Sequence, residues 1–173
     1  MDVKSPEGSP VKAFPDGERA WRRPVADEAA VGDLAAAFAR AVEPPATIFL
    51  RGDLGAGKTT FARAYLHALG FEGYVKSPSY GLLETYEAGG QVVLHLDLYR
   101  IEDPEELEYL AFRDQLGDDT VLLVEWPDRG GRGLPPPDLL LDFGESGGAR
   151  FIECAGRSER GRALAARVFQ DIS

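Results

Sequence analysis

Apolar side chains recur along this chain at two periods, and each change of period marks a change of element. From Asp27 to Val42 the apolar positions Val31, Leu34, Ala35, Phe38 and Val42 follow helical spacing; Asp27 offers an N-cap and Pro44-Pro45 ends the run. Thr47 to Leu50 reads as a short strand that runs into Gly52, and Lys58 to Leu69 as a helix closed by Gly70. Leu82 to Tyr86 and Gln91 to Asp97 read as two strands joined through Gly89-Gly90, a hairpin. Pro104-Glu105-Glu106 has the residues of a first helical turn, and Leu107, Leu110 and Ala111 give that helix an apolar side. Val121 to Val124 is continuously apolar between Asp119 and Glu125, which suits a strand buried on both faces and is expected at the centre of the sheet. Beyond Pro135-Pro136-Pro137, Leu139 to Phe143 and Arg150 to Cys154 suggest a terminal hairpin, and Ser158 to Phe169 a last helix. There is no internal repeat.

Composition narrows the class. A length of 173 residues predicts one domain. Residues 1–20 are rich in Pro, Gly and charge and read as a flexible tail, so a single domain over 21–173 is expected to begin near Trp21. One cysteine, Cys154, cannot form an internal disulfide, and no apolar run approaches the ~18 residues of a membrane span. No signal-peptide pattern opens the chain, and a cytoplasmic location is the expectation. Acidic residues outnumber basic ones by 29 to 19, a net charge of −10, which argues against autonomous binding to DNA, to RNA or to an anionic membrane.

The glycine-rich stretch after the first strand carries the chemistry. Residues 52–59 read Gly-Asp-Leu-Gly-Ala-Gly-Lys-Thr, a G-x-x-x-x-G-K-[ST] pattern directly after a strand and opening a helix. Asp53, Leu54, Gly55, Ala56, Gly57, Lys58, Thr59 and Thr60 would then wrap nucleotide phosphates, with backbone N–H groups converging on the anion and the helix N-terminus adding positive potential. Lys58 would reach the β- and γ-phosphates, the Thr59 hydroxyl would ligate Mg²⁺, and Thr60 could contact the α-phosphate. The bland alternative is a glycine turn that happens to precede a helix. Lysine usage counts against it: the chain has 15 Arg and 4 Lys, so an ammonium at position 58 points to a specific requirement.

A phosphate loop needs an acid at the end of a neighbouring strand to hold Mg²⁺. Asp97 and Glu125 each stand where an apolar run stops. Glu125 is the better metal ligand because its strand reads as buried, whereas Asp97 leads into Leu98-Tyr99-Arg100 and suits positioning water or anchoring Arg100. Either acid alone could be an ordinary strand-terminal residue or helix cap. His95 reads as a packed or hydrogen-bonded core residue before a base, and Arg129 and Arg132 as part of a solvated glycine loop before a γ-phosphate sensor. Lys76-Ser77-Pro78-Ser79 is either a γ-phosphate-sensing loop or a proline turn with a solvated lysine.

Together GDLGAGKTT (52–60), VKSPSY (75–80), HLDLYR (95–100), DPEELEYLAFRD (103–114) and VEWP (124–127) resemble one family, the TsaE proteins, formerly YjeE, from about Asp27 to Asp138. The resemblance implies an α/β fold, a P-loop NTPase three-layer sandwich with a mixed β-sheet. It also implies a weak Mg²⁺-dependent ATPase gated by the TsaB–TsaD complex, which installs threonylcarbamoyl on adenosine 37 of tRNAs reading ANN codons, with tRNA met only through that complex. Carried over by position, Asp53 to Thr60 bind ATP, Thr59 and Glu125 hold Mg²⁺, Lys58, Asp97 and Glu125 are catalytic, and residues 76–79 form a switch-like loop. Ser79 stands where the family usually has threonine, and Val31 where an early-helix threonine is frequent. Two other classes remain in view. A small-molecule kinase would need an acceptor pocket and a lid for which the chain leaves little length, and a nucleotide-dependent binding module without hydrolysis is mildly disfavoured by the two strand-end acids.

Overall fold

Strands whose side chains alternate between two apolar faces need a layer on each side. In the computed structural model, which describes residues 20–78 and 82–172, seven strands supply the middle layer. In chain order the elements are β1 (Ala20–Pro24), α1 (Glu28–Ala41), β2 (Ala46–Gly52), α2 (Lys58–Ala68), β3 (Leu83–Ala88), β4 (Gln91–Asp97), β5 (Thr120–Glu125), β6 (Leu139–Ser146), β7 (Ala149–Gly156) and α3 (Glu159–Asp171). The spatial order is β1-β7-β6-β2-β5-β4-β3. β6, β2, β5 and β4 run parallel, while β1, β7 and β3 are antiparallel to their neighbours, so the sheet is mixed.

On one face Ile48, Leu50, Val93, Val121, Leu123 and Leu141 pack with Leu34 and Phe38 of α1, Phe61 and Tyr65 of α2 and Phe169 of α3. The alternate side chains Leu94, Leu96, Leu122 and Val124 form a second core with Leu98, Ile101, Leu107 and Phe112. A three-layer α/β sandwich of P-loop type results, but its third layer is thin. Where the sequence predicts a helix after Pro104, the chain makes 3₁₀ turns over Pro104–Leu110 and Phe112–Gln115. Asp103 and Glu106 fix the start through a reciprocal capping box, and Ala111, at φ 52°, reverses the chain so that Leu107 and Phe112 both reach the core.

Two further departures concern strands. The middle of the seven is β2, with β5 beside it; β5 is buried along its whole length because both its faces are covered, Val121 and Leu123 by one core and Leu122 and Val124 by the other. β1 gave no alternating signal and forms by pairing with β7, with Trp21 opposite Cys154 and stacked on Phe169. Both expected hairpins, β3–β4 and β6–β7, are present. The tail expected before Trp21 lies outside the described residues except for Ala20, as does Ser79 of the expected switch-like loop.

Candidate functional site

Parallel strands leave a crevice at their carboxyl ends, and there β2, β4 and β5 finish together. β2 ends at Gly52 and the next residues turn through Gly55 and Gly57 into α2. Gly57 is the residue before the helix and adopts φ 112°, which a side chain would strain; the turn that aims the loop's N–H groups depends on it. Asp27 caps α1 and Ser158 caps α3 through side-chain oxygens, whereas no side chain among the described residues caps α2. Its first N–H groups are therefore open to an anion.

Lys58 is buried at 4% exposure and turns back across the loop: its Nζ donates to the Gly52 carbonyl oxygen and to that of Asp53 at 2.9 Å. The same ammonium sits 4.3 Å from the centre of the Trp126 ring. Burial pushes the lysine below its ordinary range, and the Glu125, Asp97 and Asp53 carboxylates pull it back up. A phosphate arriving here would meet a cation whose present partners are neutral carbonyls, a ring and flanking acids.

Registry brings the two acids together. Asp97 on β4 pairs with Glu125 on β5, and both are buried, at 5% and 2% exposure. Glu125 accepts from the Thr59 hydroxyl, at 3.0 Å to Oε1 and 3.2 Å to Oε2. His95, two residues before Asp97 on the same face of β4, lies with Nε2 2.6 Å from Glu125 Oε2. Asp97 takes a different partner, accepting from the Tyr99 backbone N–H at 3.0 Å. Thr59 and Glu125, expected from sequence to share a metal, are thus in contact, and Lys58 and Asp97 stand beside them.

A hydroxyl and a carboxylate are the hard oxygen donors that suit Mg²⁺. Among the described residues no group of three or more His, Cys, Asp or Glu could hold a metal alone. A Mg²⁺ held by one carboxylate and one hydroxyl would fill its remaining positions with other oxygens, from phosphate or water. The residues present fit the group.

Other expected residues fall at the margins. Leu54 is exposed at the loop tip, and Lys76 and Ser77 are exposed beyond α2. Arg129 is exposed and lies 5.4 Å from the Tyr99 ring centre and 5.7 Å from that of Trp126, nearer the crevice than a free glycine loop would put it. Arg132 is exposed within a 3₁₀ turn. Trp126, noted from sequence only as part of the VEWP stretch, received no role there, and the His95–Glu125 contact was also missed.

Residues 25–152 match the family model described as threonylcarbamoyl adenosine biosynthesis protein TsaE. The tRNA threonylcarbamoyladenosine biosynthesis protein TsaE of Haemophilus influenzae is 43% identical over 117 residues, 68% of this chain and 74% of that protein. The protein of the same name from Bacillus subtilis is 36% identical over 128 residues, covering 73% and 78%. That from Rickettsia felis is 37% identical over 111 residues, 64% of each chain. The crystal structure of Bacillus subtilis YdiB superposes with a TM-score of 0.74 at 25% identity, covering 90% of this chain and 98% of that one.

Proposed function

This chain belongs to the TsaE family, and from that premise we propose that it is a Mg²⁺-dependent ATPase of tRNA threonylcarbamoyladenosine formation, slow alone and accelerated by the TsaB–TsaD pair. Residues 21–173 act as one ATPase domain in the cytoplasm, and tRNA, modified at adenosine 37, is met only through the complex. One observation carries the reading: the Thr59 hydroxyl rests on the Glu125 carboxylate beside Lys58, at the head of an uncapped helix.

The backbone from Asp53 to Thr60 binds the phosphates, and Lys58 exchanges its carbonyl partners for phosphate oxygens. Thr59 and Glu125 would hold Mg²⁺, which would supply positive charge to the phosphates when bound. Asp97, fixed by the Tyr99 N–H, orients the attacking water. Exchanging a buried ammonium's neutral acceptors for phosphate is favourable because a full negative charge attracts it more strongly than a carbonyl dipole does where water is excluded.

Hydrolysis at matched ATP with and without the TsaB–TsaD pair tests this. Acceleration of about tenfold or more, ~1.4 kcal/mol of barrier, is expected. Equal rates would remove partner gating, and phosphate appearing on a small hydroxyl acceptor would replace the ATPase reading with a kinase.

A further inference from the structure

A buried histidine with one nitrogen on a carboxylate and the other on nothing has given up half its hydrogen bonding. His95 is that residue: it is fully buried, its Nε2 is 2.6 Å from Glu125 Oε2, and its Nδ1 has no partner among the described residues. An apolar side chain at this position, facing the same way as Val93, would leave no orphaned nitrogen. What the histidine adds is the contact to Glu125.

That contact is not redundant with the one from Thr59. The hydroxyl lies 3.0 and 3.2 Å from the two carboxylate oxygens, and its single proton can serve only one of them at a time. An ionised carboxylate can only accept, so the 2.6 Å contact places the proton on Nε2 and makes His95 the donor to Oε2. Among the described residues Oε1 keeps the Thr59 hydroxyl as its hydrogen-bond partner.

We propose that His95 is a positioning residue for the metal-side carboxylate: by holding Oε2 it presents Oε1 of Glu125, together with the Thr59 oxygen, toward the cation that accompanies the nucleotide. This rests on the reading that Glu125 serves Mg²⁺. Partners of this kind, which fix a ligand from behind, typically carry 10- to 100-fold in metal affinity.

The test reads Mg²⁺ dependence of nucleotide binding, with ADP as the probe so that no turnover intervenes. ADP affinity is measured by calorimetry in EDTA and across a Mg²⁺ titration, for the wild type, His95→Gln, His95→Asn, His95→Leu and Glu125→Gln. Glutamine places an amide N–H where Nε2 stands, whereas asparagine reaches only the Nδ1 position. Both are polar and of similar tolerance in the core, so this pair decides the matter even if the leucine variant does not fold. Affinity in EDTA should agree within about twofold for the wild type and the folded His95 variants. The Mg²⁺ concentration giving half-maximal enhancement should rise roughly 10- to 100-fold in His95→Asn and His95→Leu and stay within about threefold of wild type in His95→Gln. Wild-type Mg²⁺ dependence in His95→Asn overturns the proposal, and so does an equal loss in Gln and Asn, which would mean that the ring only fills space. If Glu125→Gln keeps full Mg²⁺ dependence, the reading of Glu125 itself fails and takes the proposal with it. If Glu125→Gln loses it while His95→Asn does not, only the positioning role is overturned.

Discussion

Lys58 is held in a place that costs it hydration and returns neutral carbonyls, a ring face and nearby acids. Its favourable partner in this setting is an anion delivered to the loop, so its loss should fall on ligand binding. Lys58→Ala removes charged hydrogen bonds of ~1.5–3 kcal/mol and should weaken ATP by roughly 10- to 150-fold in calorimetry. Wild-type affinity would take the phosphate-cradle role away from this loop. The two acids divide differently. Glu125 touches Thr59, so Glu125→Gln should lower both Mg²⁺-dependent ATP binding and turnover, because the shape remains but the charge the metal requires is gone. Asp97 accepts from the Tyr99 N–H, which aims it for water rather than for the metal, so Asp97→Asn should leave Mg-ATP affinity within about threefold while single-turnover hydrolysis with the partner pair falls about 100-fold or more. The reverse pattern would exchange the two roles, and equal loss of metal dependence would mean one shared site.

Helices and hairpins were legible wherever the cause is local. The N-caps Asp27 and Ser158 work through their own next turn, and Gly89-Gly90 and Gly147-Gly148 turn their hairpins at positive φ. The strand β1 was not legible because Ala20–Pro24 has no pattern of its own; its partner β7 lies about 130 residues away, where Arg22 meets Glu153 and lies 4.0 Å over the Phe151 ring. The phosphate loop was readable for the same local reason, whereas the His95–Glu125 contact spans two strands whose register only the assembled sheet sets. The same division between local and tertiary causes makes a stability prediction. Gly32 in α1 and Gly161 in α3 are both helical glycines that propensity would replace with alanine. A Cβ at Gly32 would lie 3.8 Å from Ala64 Cβ, an ordinary contact, and Gly32→Ala should add ~0.5–1 kcal/mol. A Cβ at Gly161 would overlap the Asp138 carbonyl oxygen, and Asp138 also ties β2 to α3 through Thr47 N at 2.9 Å and Ser158 Oγ at 2.7 Å. Gly161→Ala should therefore destabilise by ~1–3 kcal/mol despite better propensity. Urea unfolding of both variants checks the opposite signs, and a stabilising Gly161→Ala would show that α3 can shift away from Asp138 without loss.

Charge acts on the whole molecule and decides how it can meet a tRNA. A chain of net charge −10 repels a polyanion unless basic groups gather on one face. Several of its arginines are instead spent on neighbouring acids, Arg22 on Glu153, Arg51 on Asp142 at 2.6 Å and Arg113 on Glu108 at 3.4 Å, while Arg160 and Arg167 of α3 donate to carbonyls at the end of α1 and just beyond it. A pair shared within the protein neutralises no phosphate, and so releases none of the counterions that drive association with nucleic acid. Even basic proteins bind nucleic acid non-specifically with Kd of only about 10⁻⁴–10⁻⁶ M at physiological salt. The isolated chain should therefore fall outside that window, showing no saturable tRNA binding up to roughly 0.1 mM protein at about 0.15 M salt. It should join a tRNA-bearing assembly only when the TsaB–TsaD pair is supplied, and that joining should change little with salt compared with direct phosphate contacts. Filter binding of labelled tRNA to the chain alone, and co-migration of the chain with tRNA in the presence of the pair, measure the two cases. Saturable binding by the chain alone, weakening steeply as salt is raised from 0.05 to 0.2 M, would count several phosphates in contact with this protein and would mean that it reaches tRNA by its own surface.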